Sequence, residues 1–151
     1  MNLISPLLQP ANVLAAFETT SKKRLFEHAG QLFMNSYAVP SAEVFESLFA
    51  REKLGSTALG YGIAIPHGRI KHLKQTACAF IRLKEAIDFD APDNQPVDLV
   101  FVLLAPAAAS DIHLQILGEL AAMFSDETFR ARLRAAADSI ELHRLITEWT
   151  P

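Results

Sequence analysis

The chain has 151 residues, half of them apolar and 21% charged, with a formal net charge of −3. That composition is globular rather than disordered and the length suits one domain with a real core, so a single domain over residues 1–151 is expected. With no basic block beyond Lys22-Lys23-Arg24, no apolar run of spanning length and no signal-peptide flanks around Met1–Pro6, the reading is of a cytoplasmic protein with no nucleic-acid partner and no membrane insertion.

Val13 to Phe17 reads as a first short strand. Ser21, or Thr20 before it, caps a helix to about Asn35, with Leu25, Ala29, Leu32 and Phe33 spaced to face a core. Pro40-Ser41 opens a second helix, roughly Ala42 to Leu54, which carries Val44, Phe45, Leu48 and Phe49 on one side and meets Gly55 at its end. Three strands follow at Gly62–Ile65, Ala77–Leu83 and Val97–Leu104, the last two separated by the turn formers Asp88 to Pro96. The third is apolar almost throughout, the pattern of a central strand covered on both faces. Ser110 caps a helix from Asp111 to Phe124, and shorter helices follow Asp126 and Ser139. The expected fold is α/β: a single three-layer α/β/α domain whose mixed, mostly parallel sheet of about five strands is flanked by helices.

The run Gly62-Ile63-Ala64-Ile65-Pro66-His67-Gly68-Arg69 carries the most chemistry. Ile63 and Ile65 favour extended backbone, and Pro66 cannot donate to a ladder, so the strand is expected to stop there. His67 then stands at the strand's mouth on a loop freed by Gly68, beside the cationic Arg69, a setting that suits a nucleophile taking an anionic group. A polar loop histidine is the plainer reading of the same position. Arg51 shares a helical face with Val44 and Leu48, and either snorkels to water or reaches an anion near the strand ends. His113, the third residue of its helix, aligns with Ile116, Leu117, Leu120 and Phe124, so its ring points inward. The positive helix end and burial both disfavour imidazolium there, leaving a neutral ring that is either a hydrogen-bonded core histidine or a donor to a phosphate. Ser56 and Thr57 have hydroxyls and backbone N–H groups suited to a phosphoryl oxygen, or simply form a turn.

Other chemistries find no support. Gly60 and Gly62 lack the Gly-Lys-Ser/Thr ending of a Walker loop, Asp88, Asp90 and Asp93 lack the glycine and distant glutamate of a calcium loop, and no paired-cysteine or His-Glu-x-x-His metal pattern occurs. Cys78, inside Ala77–Ile81, reads as a buried small hydrophobe in a reduced compartment. His28, His72 and His143 have no partner that the sequence names, and Lys22–Arg24, which opposes its helix dipole, reads as solvated.

Taken together, Arg51-Glu52-Lys53-Leu54-Gly55-Ser56-Thr57, Gly60 and Gly62 to Gly68 strongly resemble the fructose/mannitol-type IIA proteins of the bacterial phosphoenolpyruvate-dependent phosphotransferase system. The stretch Phe89-Asp90-Ala91 through Asp93-Asn94-Gln95-Pro96-Val97-Asp98-Leu99, and His113-Leu114 after it, look like the same family, and the resemblance runs from about Ser21 to the C-terminus. Ser21–Lys23 and the Asp93–Asp98 run favour the nitrogen-related regulatory branch, from which Tyr61 and Arg69 depart. The resemblance implies that His67 is phosphorylated through Nε2 and that His113 and Arg51 complete the catalytic set; Ser56, Thr57 and Gly68 are expected to support the phosphate. It also implies a nitrogen-type, HPr-like phosphocarrier as donor, potassium transport or sensor proteins as regulatory targets, and no metal or organic cofactor. Two other roles fit the same residues: a sugar-specific IIA component serving a IIB domain in fructose or mannitol uptake, and a non-catalytic binding module.

Overall fold

The computed structural model describes residues 2–108 and 111–151. After a 3-10 turn at Pro10–Asn12, its elements are β1 (Val13–Phe17), α1 (Lys22–Tyr37), α2 (Ser41–Lys53), β2 (Ala58–Gly60), β3 (Ile63–Ala64), β4 (His67–Ile70), β5 (Ala77–Ile87), β6 (Val97–Pro106), α3 (Asp111–Ser125), α4 (Glu127–Ala135) and α5 (Ser139–Glu148). The sheet order is β1-β5-β6-β3-β2, with β4 also paired to β6. Pairs β1–β5, β3–β6 and β4–β6 are parallel, whereas β5–β6 and β2–β3 are antiparallel. This is the expected mixed, mostly parallel sheet, with six strands in place of about five.

From Leu99 onward β6 alternates between two apolar cores. Val100, Val102 and Leu104 join the cluster under α1 and α2 that holds Leu25, Phe26, Phe33, Val44 and Leu48. Leu99, Phe101 and Leu103 join the opposite cluster with Ile116, Leu120, Phe124, Leu133 and Leu142 from α3, α4 and α5. A strand with an apolar layer on each face has no polar face to show, which is why its sequence is continuously hydrophobic.

The helix starts follow local chemistry. Ser21 Oγ accepts the Arg24 N–H at 3.1 Å, and Asp126 and Asp138 accept from Phe129 and Glu141, each satisfying a donor that the first turn leaves open. The expected cap at Ser110 lies outside the described residues. Among the described residues no helix is long and apolar enough to cross a membrane.

Two short strands were not expected, and one corrects the placement of His67. Pro66 does end β3, but the chain does not leave the sheet. Leu103 donates its N–H to the Pro66 carbonyl at 3.0 Å, and pairing resumes at once with His67 beside Leu103 and Gly68 beside Leu104. His67 is therefore the first residue of β4 and not part of a free loop. Gly68 also has a different task from the hinge expected of it: a Cβ there would run into Ser47 of α2, including its backbone carbonyl carbon at 3.2 Å. Ser47 Oγ donates to the Arg69 carbonyl at 2.9 Å, so α2 lies directly on β4.

Candidate active site

His67 shares its sheet face with its pairing partner Leu103, whose side chain belongs to the core on the α3 side. The ring is half-buried, and its Nδ1 lies 2.8 Å from the Ile65 carbonyl oxygen. A carbonyl only accepts, so Nδ1 carries the proton and donates it, which leaves the lone pair on Nε2. Burial is the main cause of a His67 pKa below the ordinary 6.5. The nearby Arg51 guanidinium pushes the same way, while the bond to Ile65 and the Glu52 carboxylate oppose it.

His113 approaches from the first turn of α3. Its ring centroid is 6.0 Å from that of His67, with the planes tilted by 52°. The residue is buried, and among the described residues its Nδ1 has no hydrogen-bond partner. Burial, then the charges of His67 and Arg69, hold its pKa below 6.5, so the ring is neutral near pH 7 as its helix position implied. The inward direction read from the spacing is what the structure has, and a buried ring nitrogen without a partner is a group poised to bond something that arrives.

Arg51 lies between the helix end and the site. It is half-exposed and its Nη1 donates to the Gly55 carbonyl at 2.8 Å, tying down the end of its own helix, yet its charge also acts on His67. The inward row of α2 continues instead through Val44 and Leu48 to Glu52, which is buried. Glu52 was not singled out from the sequence. Its carboxylate accepts the Thr57 hydroxyl at 2.6 Å, the Thr57 N–H at 3.1 and 3.3 Å, and Lys22 Nζ at 3.2 Å. Ser56 donates its hydroxyl to the Phe89 carbonyl at 2.6 Å. The Ser56 and Thr57 protons thus knit the loop together and are not turned to His67. Gly68 pairs with β6 and gives room to α2.

Lys22 is likewise not the solvated cation expected. It pairs with Glu52 and with Asp90 at 3.0 Å, and although burial favours its neutral form, those two carboxylates outweigh it and hold its pKa above the ordinary 10.5. Arg69 donates to the Ala107 carbonyl at 3.1 Å. Tyr61 turns the chain from β2 to β3 with a φ of 58°, its ring lying 4.4 Å from the Arg130 guanidinium of α4. His143 reaches the Leu8 carbonyl at 2.8 Å, and His28 meets Phe17 edge-on at 5.0 Å. Cys78 is buried, its thiol pushed up to about 12. Asp88 and Asp93 accept the N–H groups of Asp90 and Gln95 as turn residues do, and no group of acidic, histidine or cysteine side chains among the described residues is placed to hold a metal.

The two lowered histidine pKa values have a sign. Below pH 6.5 the unfolded chain takes up protons that the native rings resist, so these groups cost no stability above 6.5 and an increasing amount as pH falls below it. Ring titration followed by NMR is expected to give midpoints for His67 and His113 below that of an unstructured histidine, and denaturant unfolding is expected to show stability falling from pH 6.5 downward. Midpoints at or above 6.5 would contradict the electrostatic account.

Comparison with known proteins gives a consistent result. The family described as "Phosphoenolpyruvate-dependent sugar phosphotransferase system, EIIA 2" matches residues 6–149. The nitrogen regulatory protein of Bradyrhizobium diazoefficiens is 39% identical over 143 residues, 95% of this chain and 94% of that one. The nitrogen regulatory protein of Escherichia coli K12 is 45% identical over 129 residues, 85% of this chain and 79% of that one. The crystal structure of nitrogen regulatory protein IIA-Ntr from Neisseria meningitidis superposes with a TM-score of 0.90 at 47% identity, covering 96% of this chain and 99% of that one.

Proposed function

The chain belongs to the EIIA 2 family of the phosphoenolpyruvate-dependent sugar phosphotransferase system, and from that premise we propose that it is a phosphohistidine relay and regulator of the nitrogen-related branch, accepting a phosphoryl group on His67 from a nitrogen-type, HPr-like carrier. The observation that carries this reading is the His67 Nδ1–H bond to the Ile65 carbonyl, which leaves Nε2 as an unprotonated nucleophile beside a second neutral ring. The nitrogen-regulatory relatives support the branch.

In the proposed step the Nε2 lone pair attacks phosphorus in line. The Nε2–P bond forms as the carrier's N–P bond breaks, and the carrier ring leaves with that electron pair and takes up a proton from solvent. His67 keeps its own Nδ1 proton against Ile65, so positive charge develops on the ring close to a carbonyl dipole that stabilises it. Transfer of this kind asks the protein chiefly for positioning and charge stabilisation. Arg51 supplies the fixed cation, and the His113 ring, whose Nδ1 has no hydrogen-bond partner among the described residues, supplies a donor once its tautomer places a proton on the nitrogen facing the phosphate. The work needs no ATP, metal or organic cofactor, and we place it in the cytoplasm.

Regulation follows from charge. Ile112 and Leu114, on either side of His113 in sequence, are exposed apolar side chains. Placing a doubly charged phosphate near such a face weakens an apolar interface and favours a cationic one. The targets assigned to that face are potassium transport or sensor proteins. The test is phosphate uptake from phosphoenolpyruvate through purified enzyme I and either a nitrogen-type or a sugar-type carrier, followed by intact mass. Faster labelling by the nitrogen-type carrier is expected. Equal or faster labelling by the sugar-type carrier would move the assignment to a sugar-uptake component, and labelling by neither would leave a binding module.

A further inference from the structure

A continuous set of hydrogen bonds leads from the buried end of α2 to the back of the His67 ring. Glu52 holds Thr57 by both its hydroxyl and its N–H. The Thr57 carbonyl accepts the Ile65 N–H at 3.0 Å, and the Ile65 carbonyl accepts His67 Nδ1–H at 2.8 Å. Behind Glu52, Lys22 supplies the cation that allows a carboxylate to be buried there, and it ties the same carboxylate to Asp90 and to the Phe89 carbonyl at 3.4 Å. Ser56 fastens to that same carbonyl. The loop from α2 to β2, the turn after β5 and the start of α1 are thereby locked around one acid.

We infer that Glu52 is a positioning residue for His67, acting through Thr57 and Ile65 to hold the ring in its Nδ1–H form with Nε2 presented to the incoming phosphoryl group. The inference rests on the phosphorelay reading for its consequence but not for its structural content. Glu52 touches no reacting atom. Thr57 and Ile65 are two pieces of chain separated by the β2–β3 hairpin, and the bond from the Ile65 amide to the Thr57 carbonyl joins the β6 ladder in fixing the peptide whose carbonyl aims at His67. The carboxylate has a second effect: of the charged and titratable groups on the neighbouring elements, Arg51 and Glu52 on α2, Arg69 on β4 and His113 on α3, Glu52 is the anion that opposes the effect of Arg51 on His67, while Arg69 acts on His113.

The test uses the full chain with Glu52→Gln and, separately, Thr57→Val and Thr57→Ser. Ring nitrogen NMR of the unphosphorylated protein reads the His67 tautomer and its titration midpoint, and intact mass reads the rate of phosphate uptake. Glu52→Gln retains acceptor oxygen but no charge, so the His67 midpoint is expected to fall further, the Nδ1–H form to lose population, and uptake to slow about tenfold. Thr57→Val is expected to loosen the tautomer and leave the charge effect in place, with Thr57→Ser restoring the wild-type ring. If Glu52→Gln does not fold, the contrast between Thr57→Val and Thr57→Ser decides the matter. A wild-type tautomer and midpoint in every folded variant would overturn the inference. Ring changes of the expected kind in a protein that takes no phosphate even as wild type would support the positioning and overturn the relay.

Discussion

His67→Ala is expected to take up no phosphate from any carrier, while Arg51, His113 and the fold remain in place. The reason is chemical rather than architectural. The phosphoryl group needs a lone pair, and the Ile65 bond leaves one on Nε2 of the half-buried His67. His113 does not substitute for it. That ring is buried and its first concern is desolvation, so it can approach a phosphate already held by His67 more readily than it can receive an in-line attack geometry of its own. Uptake in His67→Ala is therefore expected to be indistinguishable from background, since removing a nucleophile costs on the order of a millionfold. His113→Ala, measured beside it, is expected to slow uptake but to retain a single labelled site, because a lost donor weakens transition-state stabilisation without removing the bond-forming atom. Intact mass with peptide mapping reads both. Full labelling of His67→Ala at another residue would remove His67 from the chemistry and with it the relay.

What was legible in the sequence divides along the range of the forces involved. The first strand, the Ser21 cap and the long apolar strand at Val97 are dictated by side chains within a few residues of each other, and they form where local chemistry places them. His67-Gly68-Arg69-Ile70 has no strand-like alternation and begins after a proline. It is a strand only because β6 presents a free ladder edge beside it, a pairing across more than thirty residues that no local pattern encodes. Residues Ala58–Gly60 are a strand as the first arm of a short hairpin whose second arm, β3, is itself held on β6. The site shows the same division. His113 could be oriented from helical spacing alone, whereas Arg51 and Glu52 are neighbours that both fall near the inward face of α2. Spacing does not say which of them is buried; Lys22 and Thr57 do, by giving a carboxylate in that position its bonds. Arg51 follows from its spacing to Val44 and Leu48 alone, and that spacing does not reveal that the next residue, a carboxylate, is buried because it is not isolated.

The close contact of α2 with β4 ties fold to chemistry through one missing methyl group, and Gly68→Ala is expected to disturb both. Gly68 sits beside Leu104 in the ladder, so its backbone cannot move away without breaking the pairing that places His67. On the other side stands Ser47. An added Cβ would meet its hydroxyl oxygen, its Cβ at 3.1 Å and its backbone carbonyl carbon at 3.2 Å. The hydroxyl can rotate aside only by giving up its bond to the Arg69 carbonyl, and the backbone carbon can move only if α2 lifts. Forcing such a contact costs about 1–3 kcal/mol, felt as a lower midpoint in denaturant unfolding. Lifting α2 also carries Arg51 and Glu52 away from His67, since those two ride on the helix while His67 stays paired to β6. Phosphate uptake in Gly68→Ala is therefore expected to slow by about a hundredfold, the loss that a misplacement on the order of 1 Å produces. Ser47→Ala in the same chain removes the hydroxyl but not the backbone carbon, and so is expected to restore part of the stability and part of the rate. Restoration of stability without any recovery of rate would mean that the position of α2 does not govern the chemistry. Wild-type stability in Gly68→Ala alone would mean that the helix yields freely, and that the contact does not set the distance between Arg51 and His67.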